Sequence, residues 1–209
     1  MDDEIEDHLF FISTRVHRDH NFPEMLSLLV TANYGEETNE PDCVGGHLIA
    51  SRITTLTGYP DEDHFGLFDS QSGHAVDAYE ILTNEKQQAR IRQLVGQHAQ
   101  REDPEAYLLI SDIKVKPECR GNRLALRLMR EAVNIFGYFD TLTILRAHPT
   151  TNDDVTIDEV RKLTDYYLTD PHLQFKELDR ENYVGWLVTR DREPYFIENY
   201  GDESYYSKT

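Results

Sequence analysis

The chain has 209 residues and a formal net charge of −18, with 39 acidic residues against 21 basic ones. That balance argues against a nucleic-acid backbone or an anionic membrane as the main partner, since both need a positive footprint, and makes a cationic substrate easier to accept. With 39% hydrophobic and 11% aromatic residues, the composition is that of a globular protein with one packed core, expected over residues 1–192.

The first residues, MDDEIED, are the opposite of a basic signal-peptide start, and no apolar run nears the roughly 18 residues of a membrane span. A cytoplasmic protein is expected. His8 to Val16 has the β-branched and aromatic content of a strand, and Asn21 to Gly35 reads as one or two short helices. A polar loop, Glu36 to Asp42, leads into a strand from Cys43 to Leu56, where Gly45 and Gly46 suggest a bulge or a close backbone approach. Two short strands follow between His64 and Thr83, split by a turn at Ser70 to Gly73.

Asn84 to Asp103 predicts a mostly exposed helix, with Asn84 as N-cap and Ile91, Leu94, Val95 and His98 on one stripe. Ala106 to Lys116 is a buried central strand that emerges at its C-terminal end and stops at Pro117. Ala125, Leu128, Met129, Ala132, Val133 and Phe136 then form one helical stripe ended by Gly137. Thr141 to Pro149 predicts another buried strand, and Val155 to Leu168 a helix capped by Asp153 or Asp154. Leu173 to Leu178 and Asn182 to Arg190 read as two final strands, before an acidic, tyrosine-rich tail at residues 193–209. The order indicates an α/β fold with a mixed central sheet flanked by helices.

Positive charge is concentrated in one place. Lys114, Lys116, Arg120, Arg123, Arg127 and Arg130 lie within a stretch whose only acid is Glu118. A strand, a tight turn and a helix starting near Leu124 would aim the unpaired N–H groups of the helix N-terminus at one point, which makes an anion site suited to phosphate. Neither GxxxxGK[ST] nor GxGxxG after a first strand is present.

The stretch VKPECRGNRLALRLM resembles the V-x-P-x-x-R-G-x-G-x-G/A signature of the GCN5-related N-acetyltransferases, with Val115, Pro117, Arg120, Gly121 and Ala125 in register and Arg123 at the second glycine. The resemblance extends over Leu9 to Arg190 in element order, with residues 84–103 as a possible inserted helix. It implies an acyl-CoA N-acyltransferase fold and transfer of an acetyl group from acetyl-CoA to an amine by direct attack in a ternary complex. It further implies that Ile113, Lys114 and Val115 hold the pantetheine arm and polarise the thioester carbonyl through backbone groups. Arg120, Gly121, Asn122, Arg123, Leu124 and Ala125 would wrap the pyrophosphate. A homodimer is a family-level expectation.

Thr164 to Phe175 resembles the family's L-Y-x-x-x-G-F segment, which makes Tyr167, or else Tyr166, the candidate acid for the departing thiolate; two tyrosines packed between helix and sheet are the plain alternative. Asp170, Pro171 and His172 replace the usual glycine-containing turn. For a general base, Asp112 and Ser111 lie on the central strand, and Asp77 and Glu80 on a preceding one; Asp112 also stands at i, i+2 from Lys114, as an ion pair would. His17 and His20 have an H-x-x-H spacing and the other histidines are scattered, so no metal is expected. Cys43 and Cys119 are the only cysteines; Cys119, in the basic turn, reads as an inert thiol. The expected acceptor is a polyamine, an aminoglycoside-like amine, or a protein lysine or N-terminus. The rival reading is a non-catalytic module acting through its acidic surface on a basic protein, or a mimic of nucleic acid.

Overall fold

The computed structural model describes residues 10–34, 44–55, 58–70, 73–95, 103–137, 140–149 and 155–190. Seven strands form one mixed sheet in the order β1-β2-β3-β4-β5-β7-β6: β1 (Phe10–Arg18), β2 (Met25–Tyr34), β3 (Val44–Thr54), β4 (Ala106–Val115), β5 (Thr141–Arg146), β6 (Lys176–Asp179) and β7 (Tyr183–Arg190). Among the described residues five α-helices accompany it: α1 (Phe65–Asp69), α2 (Gly73–Thr83), α3 (Glu85–Val95), α4 (Leu124–Phe136) and α5 (Ile157–Leu168). The mixed α/β class expected from the sequence is the one observed. Among the described residues no helix is long and apolar enough to cross a membrane.

The core has two layers, one on each face of the sheet. On one face α4 and α5 cover Leu28, Val30, Leu48, Ala50 and Leu108. The α4 stripe does this: Leu128, Met129, Ala132 and Val133 are all buried. On the other face α1, α2 and α3 bury Met25, Ile53, Tyr107, Leu142 and Ile144.

Two expectations are corrected. The segment expected to be helical over 21–35 is described over 21–34, where it contains β2 and no helix; β2 pairs with β1 and β3 along its length. Leu28, Val30 and Ala32 are buried at every second position, so period 2 governs a run that is too short to be distinguished from a helix in isolation. Conversely, the described residues of the segment 64–83 form no strand. Its buried residues Ala75, Ala78, Ile81 and Leu82 fall at i, i+3, i+6 and i+7, the stripe of a helix that packs on the sheet.

Other predictions hold in detail or shift. Asn84 caps α3, its Oδ1 accepting from the amides of Lys86 at 3.1 Å and Gln87 at 3.3 Å. The second half of that predicted helix (96–102), the loop 36–42, Cys43, Asp153, Asp154 and the tail 193–209 lie outside the described residues. The cap of α5 is Thr156, in a reciprocal capping box with Glu159. The strand expected from Leu173 begins only at Lys176.

Candidate active site

The site begins with a defect in the sheet. β4 and β5 are its one parallel pair, and they pair only from Ala106↔Thr141 to Ile110↔Leu145. Beyond Ile110, β4 continues alongside β3 alone, after a bulge in which Ser111 is the extra residue between Ile49↔Asp112 and Ala50↔Ile110. β5 instead carries on towards β7, where the Ala147 amide donates to the Gly185 carbonyl at 2.8 Å. The two strands therefore part, and a cleft of about 850 Å³ opens between them.

Strand alternation decides which backbone groups face the cleft. The Lys116 amide donates to the Gly45 carbonyl at 2.9 Å, and the register then places Lys114·His47 and Asp112·Ile49 as the hydrogen-bonded pairs with β3. Ile113 and Val115, between them, turn their backbone groups to the other edge, and no described strand pairs there. Gly46 permits the close contact of β3 with β4 at this lip: a Cβ in its place would lie 2.8 Å from the Lys114 carbonyl oxygen. Gly45 is the extra residue of a bulge opposite β2. Both features suggested by the glycine pair are present.

At the closed end of the cleft the chain turns through residues 117–119 in a single 3-10 turn and enters α4. Gly121 (φ 91°) and Arg123 (φ 53°), either side of Asn122, are both left-handed and make the sharp turn that leads into α4. Arg123 is the residue before the first turn of α4, and its carbonyl accepts from the Arg127 amide at 3.1 Å. It holds a backbone conformation that glycine adopts at no steric cost.

Lys114, Lys116, Arg120 and Arg123 line the cleft, and among the described residues no Asp or Glu does. Arg120 also reaches back, its Nε donating to the Val115 carbonyl at 3.4 Å. Arg127 and Arg130, counted with the same basic cluster in the sequence, are not in the lining; Arg130 is bound to Asp170. Asn122 is half-buried in the turn, outside the lining. Gly121, Leu124 and Ala125 line the wall at the start of α4, and Ile113 and Val115 line the lip of β4. Cys119 is buried beneath them.

Tyr166 and Tyr167 of α5 both face the cleft, with ring centroids 5.6 Å apart. Burial raises the Tyr167 phenol well above its ordinary range, and the neighbouring Tyr166 adds to this. Burial also raises Tyr166, against the opposing pull of the Arg123 cation. Both hydroxyls are thus protonated at neutral pH. The turn after α5 ends in Gln174, whose φ of 46° is again left-handed, directly before the buried Phe175.

Asp112 does not line the cleft. Its Oδ2 is 2.9 Å from Lys114 Nζ and 3.6 Å from His47 Nε2, so the i, i+2 ion pair is formed. Asp77 and Glu80 lie on α2 rather than on a strand; Asp77 Oδ2 is 3.0 Å from Arg146 and Glu80 is exposed. Ser111 donates to the Ile49 carbonyl at 3.1 Å.

Sequence reasoning did not reach His47 and His148, two imidazoles that line the cleft from opposite lips. His148 lies two residues beyond the end of β5, ahead of Pro149, and its place could be read only once the strands were known to diverge. Among the described residues no group of three or more His, Cys, Asp or Glu is placed to hold a metal ion. No family model, curated protein or solved structure matches this chain.

Proposed function

We propose that the protein is an N-acetyltransferase that uses acetyl-CoA as cosubstrate and transfers the acetyl group to a primary amine. The observation that carries this reading is the lining of the cleft: two lysines, two arginines and, among the described residues, no Asp or Glu, in a chain of net charge −18. A long cosubstrate with a polyanionic end and a linear amide-bearing arm suits that arrangement. Its phosphates match the amides at the start of α4, after the turn through Gly121 and Arg123, and the Arg120 guanidinium. Its arm matches the edge at Ile113 and Val115, where no described strand pairs, and that edge would bond it as a strand edge bonds an extended peptide. The volume of about 850 Å³ falls in the range of cofactor clefts.

The chemistry needs a polarised thioester carbonyl and a proton for the departing sulfur. A backbone N–H of β4 beyond the Ser111 bulge supplies the first, as a fixed dipole that requires no reorganisation. Tyr167 supplies the second, because burial keeps its hydroxyl protonated; Tyr166 is the alternative. The acceptor class is a small cationic amine or a protein amine, on the strength of the net charge alone.

Asp112 favours the rival, non-catalytic reading, since the acid best placed by sequence to act as base is engaged by Lys114. Calorimetric titration with acetyl-CoA, beside an Arg120→Glu variant, tests the cosubstrate site. Micromolar binding lost in the variant supports the proposal; no binding by the wild-type protein ends it. Release of CoA thiol in proportion to added amine separates enzyme from module.

A further inference from the structure

The acetyl-transfer reading leaves the acceptor without a base, because an amine reaches the site as an ammonium and must lose a proton before it can attack. On the lip of β5, alternation places Arg146 and His148 on the same face, the one covered by α2. His148 lines the cleft. Its ring lies against that of His74 on α2, with centroids 5.8 Å apart at 45°. His74 Nδ1 is in turn 4.0 Å from Asp77 Oδ2, and these two side chains are 46% and 47% exposed. The row therefore runs from the cleft to solvent.

A second, much smaller cavity of about 20 Å³ marks the same place from behind. It is lined by Ser111 at the bulge, His74, Arg146 and Trp186, where β4 and β5 begin to part, and it has room for one water-sized group. Arg146 is fixed above it by Asp77 at 3.0 Å and by the Trp186 ring at 5.8 Å. Burial, with the nearby Arg146 cation and His148, lowers the His74 pKa against the pull of Asp77, which favours the neutral ring at rest and a short-lived imidazolium that hands its proton on to solvent. The cleft adds Lys114 and Lys116 from β4 and the two tyrosines of α5 to the groups around His148. His47, on the other lip, is engaged by Asp112.

We propose, resting on the acetyl-transfer reading, that His148 is the general base of the reaction and that His74, positioned by Asp77, relays the proton to solvent. His148 takes one proton from the acceptor ammonium and passes it to His74. The freed amine lone pair attacks the thioester carbonyl carbon, the C–N bond forms and the C–S bond breaks. The second amine proton balances the one that Tyr167 gives to the thiolate, so that amide, CoA thiol and one solvent proton result.

The test uses the full chain with acetyl-CoA and three amine probes: spermidine, kanamycin and a lysine-containing peptide. In His148→Gln, acetyl-CoA should bind within twofold of wild type while kcat/KM falls at least about 100-fold. In His74→Gln, kcat/KM should fall about tenfold and the midpoint of its rise with pH should move, which loss of packing alone would not cause. His148→Gln that keeps wild-type kcat/KM and pH profile overturns the relay and leaves the acetyl-transfer reading standing. Binding of acetyl-CoA without thiol release from any probe overturns the relay in favour of the non-catalytic module. Failure to bind acetyl-CoA at all overturns the underlying reading.

Discussion

Arg130 on α4 grips the carboxylate of Asp170 in the turn after α5, with Nη2 at 2.7 Å and Nε at 2.9 Å from Oδ2. The other oxygen, Oδ1, accepts from the amides of His172 at 2.9 Å and Leu173 at 3.1 Å. Both oxygens of a carboxylate with no exposed side-chain surface are thus used. This one residue closes the turn and ties it to the helix whose N-terminus forms the basic end of the cleft.

Arg130→Ala should therefore destabilise the protein by about 3 kcal/mol, the low end for one partner removed from a buried pair, because Arg130 itself is partly exposed. Urea unfolding measures it. A loss below about 1 kcal/mol would show that the amides of His172 and Leu173 alone satisfy Asp170.

Stability should fall in acid through the same group. Burial would raise the Asp170 carboxyl, but the bonds from Arg130 and from two amides outweigh it and hold it low. Asp179 is lowered to about 2 by the amides of Asn182 and Glu181 in the β6–β7 turn. A carboxyl whose folded pKa is depressed contributes stability above its unfolded value of roughly 4, and that contribution is lost as pH falls towards the folded value. Thermal midpoints should be level between pH 5 and 7 with respect to these groups and drop from about pH 4 downward. A midpoint unchanged at pH 3 would contradict this.

Arg123 costs conformational energy in the left-handed region. Arg123→Gly should raise stability by about 1 kcal/mol, the steric relief being partly offset by the greater freedom of glycine when unfolded. The same change removes a cation from the cleft, so acetyl-CoA should bind several-fold more weakly. Differential scanning calorimetry with and without the cosubstrate reads both. Tighter binding by the variant would mean that the Arg123 side chain obstructs the phosphates.

Gly46→Val should break the lip of the cleft. Its Cβ would meet the Lys114 carbonyl at 2.8 Å, so β3 and β4 must separate where Ile113 and Val115 are held. We expect a cost of about 1–3 kcal/mol and loss of acetyl-CoA binding. Retained binding would place the arm of the cosubstrate elsewhere.

Tyr167→Phe should lower kcat about 100-fold and leave acetyl-CoA affinity unchanged, since the ring still packs under α5. If Tyr166→Phe gives the loss and Tyr167→Phe does not, the half-buried tyrosine is the acid.

The second half of the chain was the more legible one. β4, α4, β5 and α5 each have a long, regular period, and the basic turn between β4 and α4 shows its charge directly in the sequence. The first half misled because Met25 to Val30 is a short apolar run compatible with either period, and because Phe65 to Phe68 has the aromatic content of a strand but packs as a helical turn. At the site, Lys114, Arg120 and Arg123 lie close together in sequence and were found. His47 lies on β3 and His148 past the end of β5, 101 positions apart, and only the divergence of β4 and β5 brings them to one cleft. Nothing local distinguishes them from the remaining histidines.

The parting of β4 from β5 has a consequence for how the protein behaves in concentrated solution. A strand edge that no described strand covers at Ile113 and Val115 is a template for any extended segment, including one from a second molecule. The charges of Lys114 and Lys116 guard it. A molecule seated along that edge would shield it further, so a preparation kept with its ligand should remain monodisperse at concentrations where the empty protein begins to associate.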